Sequence, residues 1–210
     1  MYSDTRDLPD FKNLWLKSVG NVILKKGETQ EVKITSDQDV VRKLKTTVKN
    51  DELTIAVKDS IPLWFAGLPR LDIYITMKEI LSLRLSGVGR IRSDKSIHLK
   101  DIFITNSGVG GIYLFLEADN THTELSGVGE IELSGKTYKH NVRISGTGKI
   151  DAMNFEAREV DIVNRGVGDC IVNASEKLHV KSSGIGRIKY RGDPQVFASQ
   201  TGLGSIERIG

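Results

Sequence analysis

The chain has 210 residues, 39% of them hydrophobic, which is enough to build a core. Its 30 Lys and Arg are nearly matched by 27 Asp and Glu, so the net charge of +3 argues against a nucleic-acid or anionic-membrane partner. A single cysteine, Cys170, excludes an intrachain disulfide, and no stretch reaches the roughly 18 apolar residues needed to span a bilayer. The opening Met-Tyr-Ser-Asp-Thr-Arg-Asp has no apolar signal core, which predicts a cytoplasmic chain or one whose leader has been removed.

Residues 1–80 read as strands and turns, a β section or cap continuous with the rest of the chain. Trp15 to Leu24 alternates in part, Lys25-Lys26-Gly27-Glu28 is a turn signal, and Glu31 to Thr35 is a short alternating strand. Ser36-Asp37-Gln38-Asp39 resembles a capping box, predicting one helical turn through Val40 to Leu44. Leu44 to Val48 and Leu53 to Val57 flank Asn50-Asp51 as a hairpin. Ile61 to Arg70 reads as a loop holding Trp64 and Phe65, and Leu71, Ile73 and Ile75 then alternate with polar neighbours.

From residue 81 to 210 one phrase recurs seven times: a small or polar residue, Gly, an aliphatic residue or Thr, Gly, any residue, then Ile in six copies and Cys in one. Its first glycines are Gly87, Gly108, Gly127, Gly146, Gly166, Gly184 and Gly202. The second are Gly89, Gly110, Gly129, Gly148, Gly168, Gly186 and Gly204. A spacing near 20 residues marks a stacked repeat. Four positions before each first glycine stand Leu83, Ile104, Thr123, Val142, Ile162, Val180 and Ala198. Six before stand Leu81, Ile102, Thr121, His140, Val160, Leu178 and Val196. Between these columns runs a mostly polar one: Ser82, Phe103, His122, Asn141, Asp161, His179 and Phe197. That is period two, a strand with one buried face entering the glycine pair. A second strand leaves it, with Ile91, Ile112, Ile131, Ile150, Cys170, Ile188 and Ile206 pointing inward. With no helical pattern between the strands, the expected fold is all-β, a parallel β-helix of about seven turns. Right-handed coiling is the default. Each glycine pair is then a structural corner, one position calling for positive φ and the other for close approach of adjacent turns.

No copy of the phrase suits a phosphate, because each leads into a strand rather than a helix. No Asp column is in register for a calcium roll, and the Leu-x-x-Leu-x-Leu string of leucine-rich repeats is missing. The outward column Arg90, Gly111, Glu130, Lys149, Asp169, Arg187 and Ser205 alternates in sign, which reads as an ion-pair ladder. Its sharper reading is a glycosidase carboxylate pair, Glu130 and Asp169, about 9.6 Å apart across two turns. Lys149 between them opposes a raised acid pKa. His122 and His179 lie three turns apart, too far to share a metal. Cys170 fills an Ile slot and reads as buried. No catalytic residue, cofactor or metal is therefore expected. Phe103, Tyr113 and His122, on neighbouring turns, form the candidate binding face.

Three stretches together resemble a known family. They are Asp10-Phe11-Lys12-Asn13-Leu14 into Val19-Gly20-Asn21-Val22, then Leu71 to Ile80 into Leu83-Arg84-Leu85-Ser86-Gly87, and then the Ser-Gly-x-Gly corners to Ile206. Over residues 8–210 the chain is similar to the family named "putative auto-transporter adhesin, head GIN domain". The resemblance implies a β-helical envelope or secreted protein of bacteria with a signal or lipoprotein leader. It implies no catalytic residue. The expected function is non-enzymatic, adhesin-like binding by an outer face, with a carbohydrate or a surface protein as partner. The rivals are a carbohydrate-active β-helix enzyme and a structural protein that self-associates through its open C-terminal end.

Overall fold

The computed structural model describes residues 1–57 and 70–210; of the loop expected at Ile61 to Arg70, all but Arg70 lies outside the described residues. The protein is a parallel β-solenoid of about seven turns, 73% strand and 3% helix. Like positions of the repeat stack in register: Val88, Val109, Val128, Thr147, Val167, Ile185 and Leu203 are neighbours from turn to turn. The two strands expected per turn fuse in the middle of the coil. Val109–Leu125, Val128–Ile144, Thr147–Asn164 and Val167–Ser182 each run from one corner to the next. Ladder hydrogen bonds point along the coil axis, so a bend within a turn need not break them.

The inward columns are buried as their alternation predicts. Ile91, Ile112, Ile131, Ile150, Cys170 and Ile188 fill the axis, each burying enough area to contribute about 1.5–3 kcal/mol. Burial pushes the Cys170 thiol up to about 12, so it stays a packed, protonated side chain. Four members depart, among them Ile206, which is only half-buried. Leu81, just ahead of strand Ser82–Leu85, is 45% exposed, and Val196 and Ala198 in the last turn are also exposed. A third inward column, two positions before the first glycine of every copy but the last, is not legible in the sequence: Leu85, Asn106, Leu125, Ile144, Asn164 and Ser182. The asparagines hide its apolar character. Each turns its amide back on the corner: Asn106 Oδ1 accepts from Gly108 N–H at 3.2 Å and Asn164 Oδ1 from Gly166 N–H at 3.1 Å.

At the corner adjacent turns nearly touch. The Ser126 and Gly127 N–H groups both donate to the Asn106 carbonyl, at 2.9 and 3.0 Å, and Val128 N–H donates to Gly108. A Cβ on Gly127 would overlap the Gly108 carbonyl, and one on Gly129, whose φ is +152, would overlap Gly110. Close approach thus constrains both positions, and positive φ only the second.

An eighth copy of the corner precedes the seven. Lys17-Ser18-Val19-Gly20-Asn21-Val22 stacks in register on the copy at Ser86, with Gly20 against Gly89. Ser18 replaces its first glycine, and residues 27–81 separate it from the next copy, so no period reveals it. Within that insert, Glu52–Val57 and Asp72–Met77 add parallel strands to Asn13–Leu16 and Val19–Lys26. The ladder then turns antiparallel. Leu44–Lys49 pairs with Glu52–Val57 through Asn50 and Asp51, whose φ values of 49° and 59° are those of a tight hairpin. Glu31–Ser36 covers Asp72–Met77, and Tyr2–Thr5 covers Glu31–Ser36. The helix is Gln38–Lys43, but the capping box does not form. Ser36 ends a strand and donates to the Arg70 carbonyl, and Asp37 makes no side-chain cap bond. At the other end Gln195–Gln200 and Leu203–Arg208 pair on one side only among the described residues.

The axis also holds a polar knot. His140 is fully buried, its Nε2 2.9 Å from Thr123 Oγ1, and Thr121 donates to Thr137 at 3.2 Å. Burial, with a smaller contribution from His122, depresses the His140 pKa to about 3. The unfolded chain then takes up a proton below about pH 6.5 that the folded chain refuses. This site should cost stability at about 1.4 kcal/mol per pH unit from about 6.5 down towards 3. Urea midpoints of wild type and His140→Gln should therefore converge or cross between pH 6.5 and 4.5. Parallel curves would show that His140 does not titrate on unfolding. Inward and outward positions separate in the same assay: Ile131→Asp should cost more than about 4 kcal/mol, and Glu130→Ser less than about 0.5.

Candidate binding face

The strand entering each corner presents two outward columns. The first stacks Asn13, Ser82, Phe103, His122, Asn141, Asp161, His179 and Phe197. The second stacks Trp15, Arg84, Thr105, Glu124, Arg143, Val163, Lys181 and Ser199. Period two puts both on one side of the coil, over the buried column between them. The Phe103 and His122 rings stack 4.5 Å apart and nearly parallel, at 7°. His179 and Phe197 form a matching pair at 4.7 Å and 26°.

A groove of about 430 Å³ crosses this face beside the first stack, lined by Phe103, Thr105, His122, Glu124, Asn141, Arg143, Asp161 and Val163. Asp161 is held by Lys139 at 2.8 Å. The side chains of His122, Glu124, Asn141 and Arg143 have no hydrogen-bond or ion-pair partner among the described residues. A second groove of about 480 Å³, lined in part by His98, Glu117, Lys136, Tyr138 and Arg158, differs in this respect. There Glu117 takes Lys136 at 3.1 Å and His98 at 3.5 Å, and Arg158 takes Glu176 at 3.0 Å. Its charges largely satisfy one another, whereas in the first groove only Asp161 is so committed among the described residues.

Of the three residues expected to form a binding face, the structure joins Phe103 to His122 and sets Tyr113 apart. Tyr113 lies beyond the corner, on the strand leaving it. Its ring folds back over Gly111, where any Cβ would strike it, and its hydroxyl lies 3.5 Å from Glu130 Oε2. Trp15 on the entry side was not singled out from the sequence. Its ring carries Lys17 Nζ at 3.3 Å and Arg84 at 4.7 Å from the centroid, and its indole N–H donates to Ser86 at 2.7 Å. Only the long-range pairing of Asn13–Leu16 with Ser82–Leu85 brings it there.

The charged column past the corner stacks as expected, Glu130 against Lys149 against Asp169. It is not a continuous ion-pair ladder. Lys149 reaches along its own strand to Asp151 at 2.6 Å, and the cross-turn pair is Asp169 with Arg187, also at 2.6 Å. Hydrogen bonds from the Arg187 guanidinium and backbone N–H hold the Asp169 carboxyl below its usual range, which is wrong for a general acid. Among the described residues no three His, Cys, Asp or Glu side chains converge as metal ligands. Nor, among the described residues, is any helix long and apolar enough to cross a membrane.

Residues 10–194 match the family model described as "Putative auto-transporter adhesin, head GIN domain", and the chain belongs to this family. No curated protein sequence matches it. Among solved structures, a "putative adhesin" from Bacteroides fragilis superposes with a TM-score of 0.92 at 24% identity, over 99% of this chain and 96% of that one. A "putative lipid binding protein" from Parabacteroides distasonis superposes at 0.75 and 24% identity, over 100% and 96%. A "putative adhesin" from the same species superposes at 0.76 and 20%, over 99% and 96%. At these identities the likeness is one of fold.

The candidate face stands on the buried columns beneath it. Phe103→Ala, at a position 52% exposed, should lower unfolding free energy by less than about 1 kcal/mol in urea titrations. A larger loss would make the stack structural.

Proposed function

We propose that this member of the head GIN domain family is a non-enzymatic, adhesin-like recognition module of the cell envelope, binding carbohydrate in the groove of its corner-entry face. One observation carries the reading: Glu124, Asn141 and Arg143 project without a partner among the described residues, beside the stacked rings of Phe103 and His122, from a continuous β-ladder. Fixed, uncommitted donors and acceptors beside an apolar ring suit a polyhydroxylated ligand, and pre-set geometry lowers the entropic cost of binding it. The family description and the neighbours described as adhesins support envelope location and binding. The depressed Asp169 carboxyl and the diversion of Lys149 to Asp151 weigh against hydrolysis by Glu130 and Asp169.

A second reading has its own observation. Val88, Val109, Val128, Val167, Ile185 and Leu203 form an exposed apolar row along the corner, interrupted only by Thr147. Such a row suits an acyl chain, and one structural neighbour is described as lipid binding.

A glycan array probed with wild type and variants separates the two. Phe103→Ala with His122→Ala should weaken glycan binding by about tenfold or more, while Tyr113→Ala should leave it within about twofold. Equal loss in both variants, or no glycan bound by the wild type, would remove the carbohydrate reading.

A further inference from the structure

We infer that the ligand of this face is an acidic polysaccharide, a carboxylate-bearing sugar chain lying along the coil axis with its anionic groups over Arg143, Arg165 and Lys181. The inference rests on the proposed binding face and adds the charge and direction of its ligand.

These three cations sit on three successive turns. Arg143 and Lys181 belong to one outward column, in register through Val163 between them. Arg165 follows Val163 by two residues, on the same side, and replaces the serine found at this corner position in most other copies. Turns stack at about 4.8 Å, so Arg143 and Lys181 are about 10 Å apart along the axis. All three are exposed, and none has a carboxylate within ion-pair distance among the described residues. Elsewhere on the face charge is committed: Lys17 and Arg84 lie against Trp15, and Asp161 holds Lys139. One carboxylate opposes the stripe, Glu124, which neighbours Arg143 in register but makes no ion pair with it.

Geometry selects the class of polyanion. The stripe leads straight into the groove at Phe103, Thr105 and Asn141, so a chain that leaves the cations meets an aromatic pair, a hydroxyl and a carboxamide. A sugar polymer uses all of these: its anionic groups take the guanidinium and ammonium heads, its hydroxyls the amide, and its C–H faces the ring. Two nitrogens of a planar guanidinium also suit a carboxylate, which favours Arg at two of the three positions. The exposed apolar row that a membrane would take up lies at the corner, and none of its residues lines the groove.

The test is solution binding of the intact chain to polygalacturonate, with dextran as the uncharged sugar polymer, polyphosphate as a polyanion without sugar, and phosphatidylglycerol vesicles as an anionic membrane. Expected is binding to polygalacturonate that exceeds the other three by about tenfold or more and weakens as salt is raised. Arg143→Gln, Arg165→Ser and Lys181→Gln combined should reduce it by about tenfold or more, and Glu124→Gln should strengthen it. The three changes lie on exposed positions, and circular dichroism melts confirm that the variant is folded. Preference for dextran, or polygalacturonate binding unmoved by the triple variant, overturns the inference. If Phe103→Ala with His122→Ala still abolishes glycan binding in that case, the face stands and only its charge preference falls. Equal binding of polyphosphate or vesicles overturns the sugar specificity, and loss of vesicle binding in Val167→Asp would assign the site to the corner row instead.

Discussion

Every turn of this coil takes its backbone hydrogen bonds from the turn before it, in register, and at the corner the two chains come too close for a Cβ. That single requirement organises the molecule. It fixes glycine at two positions of nearly every copy, and it fixes the phase of the strand entering each corner and of the strand leaving it. Once the phase is set, alternation does the rest. Counted from the nearer glycine of a corner, even steps face the axis and odd steps face out. Isoleucine at the same step of each turn becomes a continuous apolar column, and Cys170 can stand in it because its environment asks only for a small apolar group.

The same register creates the surface. Residues some twenty apart in sequence become immediate neighbours, so a face is written one residue per turn. Phe103 stacks on His122 and His179 on Phe197 for no reason other than shared phase. Such a face is rigid without any contribution from its own side chains, since the ladder beneath holds it. It can therefore leave polar groups uncommitted, which a flexible loop could do only with greater loss of entropy on binding. The groove beside Phe103 is where those uncommitted groups gather.

The two ends treat their open edges differently. At the first, the insert of residues 27–81 lays parallel strands on the coil and then reverses direction, so antiparallel strands and the short helix Gln38–Lys43 close over the apolar interior. At the other, Val196 and Phe197 remain exposed on strands paired on one side among the described residues. A parallel ladder has no internal means of ending, and a change of strand direction is one that this sequence supplies.

The amino-acid sequence by itself determined the coil. Glycine pairs at a steady spacing, with Ile nearly always two positions on, leave few alternatives to a β-solenoid, and period two separated most inward from outward residues. It also placed Phe103 and His122 in one column. The tertiary structure decided what periodicity cannot carry. The corner at Ser18 and Gly20 was hidden because a serine replaces one glycine and an insert breaks the spacing. Asn106 and Asn164 were hidden because a buried amide bonded to its own corner looks polar on paper. Tyr113 left the candidate face because the corner separates the strand before it from the strand after it, a turn of direction that alternation along the chain does not record. Lys149 chose Asp151 over its stacked neighbours because side-chain reach along a strand competes with reach across turns. Spacing specifies which residues share a column; the bend of the backbone and the reach of each side chain decide which columns share a surface.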